Sequence, residues 1–174
     1  MKRKIDPFDY ANQILPAVKK GVLLTTKTDQ QINTMSISWG TMGIQWGLPI
    51  FTVFVRGCRH TSTMLDKNPE FTVNIPLEQC DKNIIRVCGT QSGRDVDKIK
   101  KLGLTAVPGE TVSVPAIAQL PLTLECKVLY QQDQDLSALC EESRNQCYKP
   151  GTPNDGDFHT AYYGEITAAY ILKD

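Results

Sequence analysis

The six cysteines in this 174-residue chain form no CxxC pair and no Cys/His grouping at zinc spacing. Neither a dithiol redox motif nor a zinc site is expected, and no metal ligands are assigned. No apolar stretch is long enough to span a bilayer. The basic start, Met1-Lys2-Arg3-Lys4, is not followed by the apolar region of a secretory signal, so a cytoplasmic, membrane-free protein with reduced thiols is expected. An excess of positive charge is also missing: 19 Lys and Arg balance 19 Asp and Glu, which argues against nucleic acid as a partner. There is no P-loop, Rossmann glycine fingerprint or Ser-His-Asp arrangement. Repeated βαβ spacing is absent, which excludes a doubly wound sheet.

What the chain does have is a series of short runs rich in β-branched and aromatic residues. Strands are expected at 21–26, from 32 towards 39, at 50–55, 71–75, 120–130 and 159–171, the last bending near Gly164. A polar turn, Thr28 to Gln31, joins the first two. Short helices are expected at 61–67, 77–88 and 96–102. Asp95 or Ser92 would cap the third and Gly103 would end it. A further helix over 132–147 would carry Leu136, Leu139 and Cys140 as its apolar stripe. Residues 1–12 read as an arm, the stretch with Gly40, Gly43 and Gly47 as turns, and 104–119 and 149–157 as loops. The sum is one mostly β domain over 1–174, a small closed or split barrel with short helices and a helical or loop insertion around 131–157.

The chain is organised around residues 33–74. On the strand towards Trp39, Met35, Ile37 and Trp39 share one face, and Thr34, Ser36 and Ser38 the other. A row of hydroxyls suits either solvent or a polar ligand. After the strand at 50–55 comes Arg56-Gly57-Cys58-Arg59-His60-Thr61. Basic groups beside a helix start make a plausible phosphate pocket, because free N–H groups and cations point at one place. A solvated turn is the plainer alternative.

These residues together resemble the flavin reductase-like family, whose relatives include flavoredoxins. The resemblance runs through Asn33-Thr34-Met35-Ser36-Ile37-Ser38-Trp39, Arg59-His60-Thr61, Phe71-Thr72-Val73-Asn74-Ile75-Pro76 and Ser92-Gly93-Arg94-Asp95-Val96-Asp97-Lys98, followed by Gly103-Leu104-Thr105. Leu124-Glu125-Cys126 and Gly164-Glu165-Ile166 are similar to two late strands of the family. It implies a homodimeric, Greek-key-like split β-barrel that binds FMN in a groove near or across the subunit interface. The protein would be an oxidoreductase, passing electrons from NAD(P)H or a redox protein through FMN to an acceptor. A reductase that releases reduced FMN, and an electron carrier without turnover of its own, are the alternatives. With no dinucleotide domain, a nicotinamide donor would bind only transiently over the flavin.

The resemblance places Arg59 and Thr61 at the phosphate, and Ser36, Ser38 and Trp39 with Met35 on the ring side. Asn33 and Asn74 are included as cofactor-binding or positional groups. Ser92, Gly93 and Arg94 would close over the cofactor or meet the partner subunit. His60 stands where relatives carry an aromatic residue. Lys98 is the weakest candidate, because a helix lysine is usually at the surface. No side chain is assigned as catalytic acid or base. A Cys147–His159 nucleophile pair carries little weight across an unconstrained loop.

Overall fold

The structure is a computed structural model that describes residues 1–29, 31–78, 80–149, 151–152 and 155–173. Gln30 of the expected turn, Gln79 of the expected second helix, and Pro150, Pro153 and Asn154 of the expected loop lie outside them. The strands are β1 (Lys2–Lys4), β2 (Val22–Lys27), β3 (Ile32–Ile37), β4 (Gly40–Gln45), β5 (Leu48–Arg56), β6 (Glu70–Ile75), β7 (Ala106–Val107), β8 (Ala116–Ile117), β9 (Leu122–Asp133) and β10 (His159–Leu172). The helices are α1 (Ala11–Lys20), α2 (His60–Leu65), α3 (Lys82–Thr90), α4 (Lys98–Lys101) and α5 (Glu141–Cys147). One antiparallel sheet runs β3-β2-β6-β9-β10-β5-β4, with β1 added to β10, and β7–β8 form a separate small ribbon. Among the described residues the sheet path ends at β3 and β4 without a ladder between them. The sheet is therefore an open, split barrel.

The interior is filled from every strand of the curl: Leu24, Phe51, Val53, Phe71, Val73, Leu124, Cys126 and Tyr162 share one cluster. Ile14 and Val18 of α1, four residues apart and hence on one helical face, join it. The opposite face of β2 and β6 is covered too, for Leu23 packs with Ile84, Cys88, Leu104, Ile117 and Leu120. This layer buries part of the hydroxyl face of β3, expected to be solvated or to line a ligand, while Ser36 is half-buried and Ser38, past the end of the strand, is exposed. Thr34 is fully buried there and bonds to Thr25.

Several boundaries differ from the sequence expectation, each for a local reason. The arm is a strand and a helix: β1 pairs with β10, and α1 accommodates Pro16 within its span. The glycine-rich turns contain β4, which reaches β5 through a two-residue turn with Trp46 at φ 54° and Gly47 at φ 73°. Both left-handed values suit the twist of a tight hairpin. The helix over 132–147 shrinks to α5, because Tyr130 to Asp133 pair with β10 from Thr160 to Tyr163 and prolong β9. The second helix starts only at Lys82, where Asp81 accepts the Asn83 amide. The third shrinks to α4, capped by Asp97, whose carboxylate takes the Lys100 N–H, and not by Asp95 or Ser92. Within 104–119 lies the β7–β8 ribbon. Among the described residues no helix is long and apolar enough to cross a membrane.

Gly164 sits at a register shift in β10, where the strand bends against β9. A Cβ there would lie 2.6 Å from Phe71 Cζ and 2.9 Å from Cys126 Cβ. Gly164→Ala is therefore expected to cost about 2 kcal/mol, the range for overpacking a tight core. The check is a urea midpoint, with an unchanged m-value separating lost stability from an altered unfolded state. An unshifted midpoint would refute the close approach.

Candidate functional site

The first residues of β3, the start of α2 and the loop before α4 are tied into one cluster. Thr61 is buried at the start of α2, and its Oγ1 accepts the Asn33 amide at 3.2 Å, leaving its own proton free to donate. Gln31 bridges outward: its Nε2 donates to the Gly93 carbonyl at 2.8 Å, and its Oε1 lies 2.8 Å from His60 Nε2. Gly93 packs flat here, since a Cβ would overlap Asn33 Oδ1 and crowd His60. Ser92 Oγ accepts the Arg94 N–H, and the Arg94 guanidinium donates to the Cys58 carbonyl at 2.9 Å. Lys98 is buried and donates to the Gln91 carbonyl at 3.2 Å. Arg59 is exposed at the cap position of α2, and no side chain caps that helix.

Positive charge accumulates here without compensation. Among the described residues the ion pairs are Lys4–Glu110 and Arg56–Asp157, so Arg59, Arg94 and Lys98 have no carboxylate partner. Burial pushes the Lys98 pKa down, with the nearby Cys88 acting against it and the Arg59 charge adding to it. His60 is lowered by burial and then by Arg94, Lys98 and Lys67. A buried ammonium without a counter-ion is costly. Two guanidiniums and an ammonium gathered near the start of α2 form a donor set suited to a phosphate dianion.

A second cluster lies across the turn at 57–59. Trp39 is 40% exposed, neither in the core nor covered, and its ring centroid is 4.6 Å from that of His159. Tyr148 donates its hydroxyl proton to Gln134 Oε1 at 3.0 Å and lies 2.5 Å from His159 Nδ1. With that proton committed, Tyr148 oxygen accepts from His159 Nδ1–H. Burial, followed by the Arg56 charge, lowers the His159 pKa to about 4 even though Asp157 opposes it. The ring is thus neutral near pH 7. Arg56 donates to the Asp157 and Cys147 carbonyls at 2.8 and 3.1 Å and lies over the Tyr148 ring. Among the described residues no hydrogen bond joins Cys147 to His159, whose ring is engaged by Tyr148 and Trp39.

Two grooves share Trp39 and Phe54 as a wall. One, of about 370 Å³, is lined by Ser38, Gly40, Thr41 and Leu15. The other, of about 480 Å³, lies between the sheet and the 134–148 segment. Among the described residues β3 has one strand neighbour, β2, so its outer edge keeps backbone groups without a strand partner there.

Of the sequence candidates, Asn33, Arg59, His60, Thr61, Ser92, Gly93 and Arg94 come together, while Ser38 and Trp39 line the grooves. Three lie elsewhere. The Met35 side chain packs on the barrel core. Ser36 Oγ rests against Gly89 of α3. Asn74 is fully buried: its amide donates to Thr25 and Thr72, and its oxygen accepts from the Ile117 N–H and Thr123. These bonds make Asn74 a structural group. Gln31, Arg56 and Tyr148, which are not among the sequence candidates, join these two clusters, and Lys98, the weakest candidate, is buried beside the first. The Ser92–Lys98 motif was the available signal for Lys98. For Gln31, a polar turn residue, there was none.

The family model of the flavin reductase like domain matches residues 18–174. An uncharacterised protein of Archaeoglobus fulgidus is 25% identical over 127 residues, 70% of this chain and 71% of that protein. Flavoredoxin of Desulfovibrio vulgaris (Miyazaki F) has a similar fold, with a TM-score of 0.68 at 24% identity over 88% of this chain and 69% of that one. An FMN-binding protein from Thermus thermophilus, solved with bound 1-cyclohex-2-enone, gives 0.62 at 22% identity over 87% and 69%.

Proposed function

The chain belongs to the flavin reductase-like domain family, and on that premise we propose that it binds FMN and works as an oxidoreductase, taking electrons from NAD(P)H or a redox protein. The carrying observation is the convergence of Arg59, Arg94 and Lys98 without a carboxylate partner among the described residues. These three groups and the Thr61 hydroxyl hold the phosphate. The free edge of β3, Ser38 and Trp39 receive the ring. Bound FMN supplies the electron and hydride chemistry, as cofactors of this kind do. The protein's own part is to bind, orient and limit water. Buried Asn33 positions Thr61, and Gln31 couples His60 to Gly93 so that both loops stay in place.

The test is an absorbance spectrum of protein mixed with FMN and desalted, then titrated anaerobically with NADH and NADPH. Retained yellow colour that bleaches with one nucleotide supports the reading and names the donor. Colour that neither nucleotide bleaches removes NAD(P)H and leaves a protein donor. Loss of all colour on desalting, together with no NAD(P)H oxidation when free FMN is supplied, would sink it.

The same reading includes a homodimer. Trp46, Tyr130 and Tyr163 form an aromatic cluster with centroids 5.4 to 6.1 Å apart. Trp46 and Tyr130 of this cluster are exposed, as are the large apolar side chains of Ile44 and Leu129, and exposed apolar surface of this kind supports a subunit interface. Sedimentation is expected to give a dimer that Tyr130→Glu converts to monomer. A monomer in the unaltered protein would exclude it.

A further inference from the structure

The groove of about 480 Å³ beneath the 134–148 segment is preformed and open on one side to solvent. Its base is closed by bonds already described: Tyr148 to Gln134 and His159, and Arg56 to the Cys147 carbonyl. A further bond runs from the Gln134 N–H to the His159 carbonyl at 2.9 Å. Its walls are flat or aliphatic, with Trp39, Phe54, Tyr148 and Tyr163 facing Leu136 and Leu139. That volume and that lining fall within the range of small-molecule pockets, and aromatic walls favour a planar guest.

The charge lining the groove is of one sign. Asp133 and Asp135 line it, and no lysine or arginine does. Asp133 accepts the Thr160 hydroxyl at 2.6 Å, and Asp135 accepts the Ser137 N–H and hydroxyl. Two cations stand behind its lining and are engaged there, Arg56 over the Tyr148 ring with Asp157 and backbone carbonyls, and Arg144 with the Leu136 carbonyl. An anion entering the groove meets two carboxylates, and no cationic side chain lines it. This is the reverse of the Arg59–Arg94–Lys98 cluster on the other side of the 57–59 turn.

We infer that the groove under the 134–148 segment is a binding site for a planar aromatic molecule that carries no negative charge. The nucleotide phosphates of NAD(P)H are unsuited to it. Trp39 is a wall of this groove and also stands on the proposed ring side of the flavin. The groove therefore takes the electron acceptor, an assignment that rests on the flavin reading above. The discrimination by charge does not depend on that reading.

The experiment is calorimetric titration with 2-naphthol and 2-naphthalenesulfonate, which share a ring and differ in charge. It is run on desalted protein with and without FMN. The naphthol is expected to bind one site per chain, and the sulfonate about tenfold more weakly, the size two nearby carboxylates impose on an anion. Replacing both carboxylates, Asp133→Asn with Asp135→Asn, should bring the two affinities within about threefold of each other by removing that repulsion. Ala161→Leu fills part of the groove and should weaken naphthol about tenfold through lost space. Equal affinity for the two probes in the unaltered protein, or no naphthol binding, overturns the inference. So does a charge preference that survives the double asparagine change. Charge-selective naphthol binding on a chain that retains no FMN supports the groove and overturns only the flavin reading.

Discussion

Alanine in place of Arg59 is expected to weaken FMN binding by roughly 10- to 100-fold, the equivalent of one or two charge-assisted hydrogen bonds to phosphate. The unfolding midpoint should not move. Arg59 is exposed, and its side chain makes no hydrogen bond or ion pair among the described residues, so its loss leaves nothing unsatisfied. Fluorescence titration of FMN and thermal unfolding of the apoprotein measure the two halves separately. Lys98→Met should behave differently. Its ammonium is buried and serves the Gln91 carbonyl, which helps hold the loop before α4. Affinity falls, and the loop loses a bond as well. Unchanged FMN affinity in the Arg59 variant would remove the phosphate assignment, since Arg59 has no structural task to hide behind.

Glutamine in place of Glu125 is expected to lower stability by about 3 kcal/mol, the cost of leaving buried donors unmatched, and the melting temperature by about 10 °C. Glu125 is fully buried in β9. Its carboxylate accepts the N–H groups of Glu110, Thr111 and Val112 and the hydroxyls of Thr111 and Tyr170, at 2.7 to 3.3 Å. A carboxylate is acceptor-only, whereas an amide must turn its NH₂ towards donors on one side or the other. The acid limb of the stability curve should change too. Burial pushes the Glu125 pKa up, but the bonds from Thr111, Glu110 and Tyr170 outweigh burial, and the folded pKa is lowered from 4.5. The folded chain thus binds this proton less readily than the unfolded one. The contribution of Glu125 is complete above pH 4.5 and is lost as the pH falls through the lower folded value. Urea midpoints measured between pH 7 and pH 3 should fall less steeply in Glu125→Gln. Parallel curves would show that the carboxylate is not ionised in the fold.

The β-rich, split-barrel character was legible because its strands announce themselves. Short β-branched runs, an internal glycine at the β10 bend and polar breaks place β2, β5 and β6 within a residue or two. β4 was not legible. Gly40 and Gly43 weaken its own propensity, and it is a strand because β5 pairs with it. The end of β9 was misread for the converse reason: Gln131, Gln132 and Asp133 are polar, but β10 supplies a ladder that overrides their composition. At the site, Arg59 and Thr61 could be read from a turn that leads into a helix. Lys98 closes the Ser92–Lys98 motif, but its burial belongs to the folded chain alone. Asn74 reads from its motif as a cofactor-binding or positional group, and the fold buries it as a hydrogen-bonding group of the core. Its meaning depends on Thr25, Thr72, Thr123 and Ile117, which no local pattern brings together.

That buried group of Asn74 with Thr25, Thr34, Thr72 and Thr123 has a consequence for assembly. β6 and β9 are adjacent in the sheet but distant along the chain, so their alignment is found late and against competing offsets. Apolar side chains tolerate a slip of two residues, because one branched hydrocarbon replaces another. A one-residue slip turns each strand over and drives Asn74 into hydrocarbon with no partner. A two-residue slip keeps the face but sets Asn74 opposite Pro121 or Glu125 instead of Thr123. The polar groups thus act as an index mark: they add little to how tightly the barrel holds and much to which of its offsets survives.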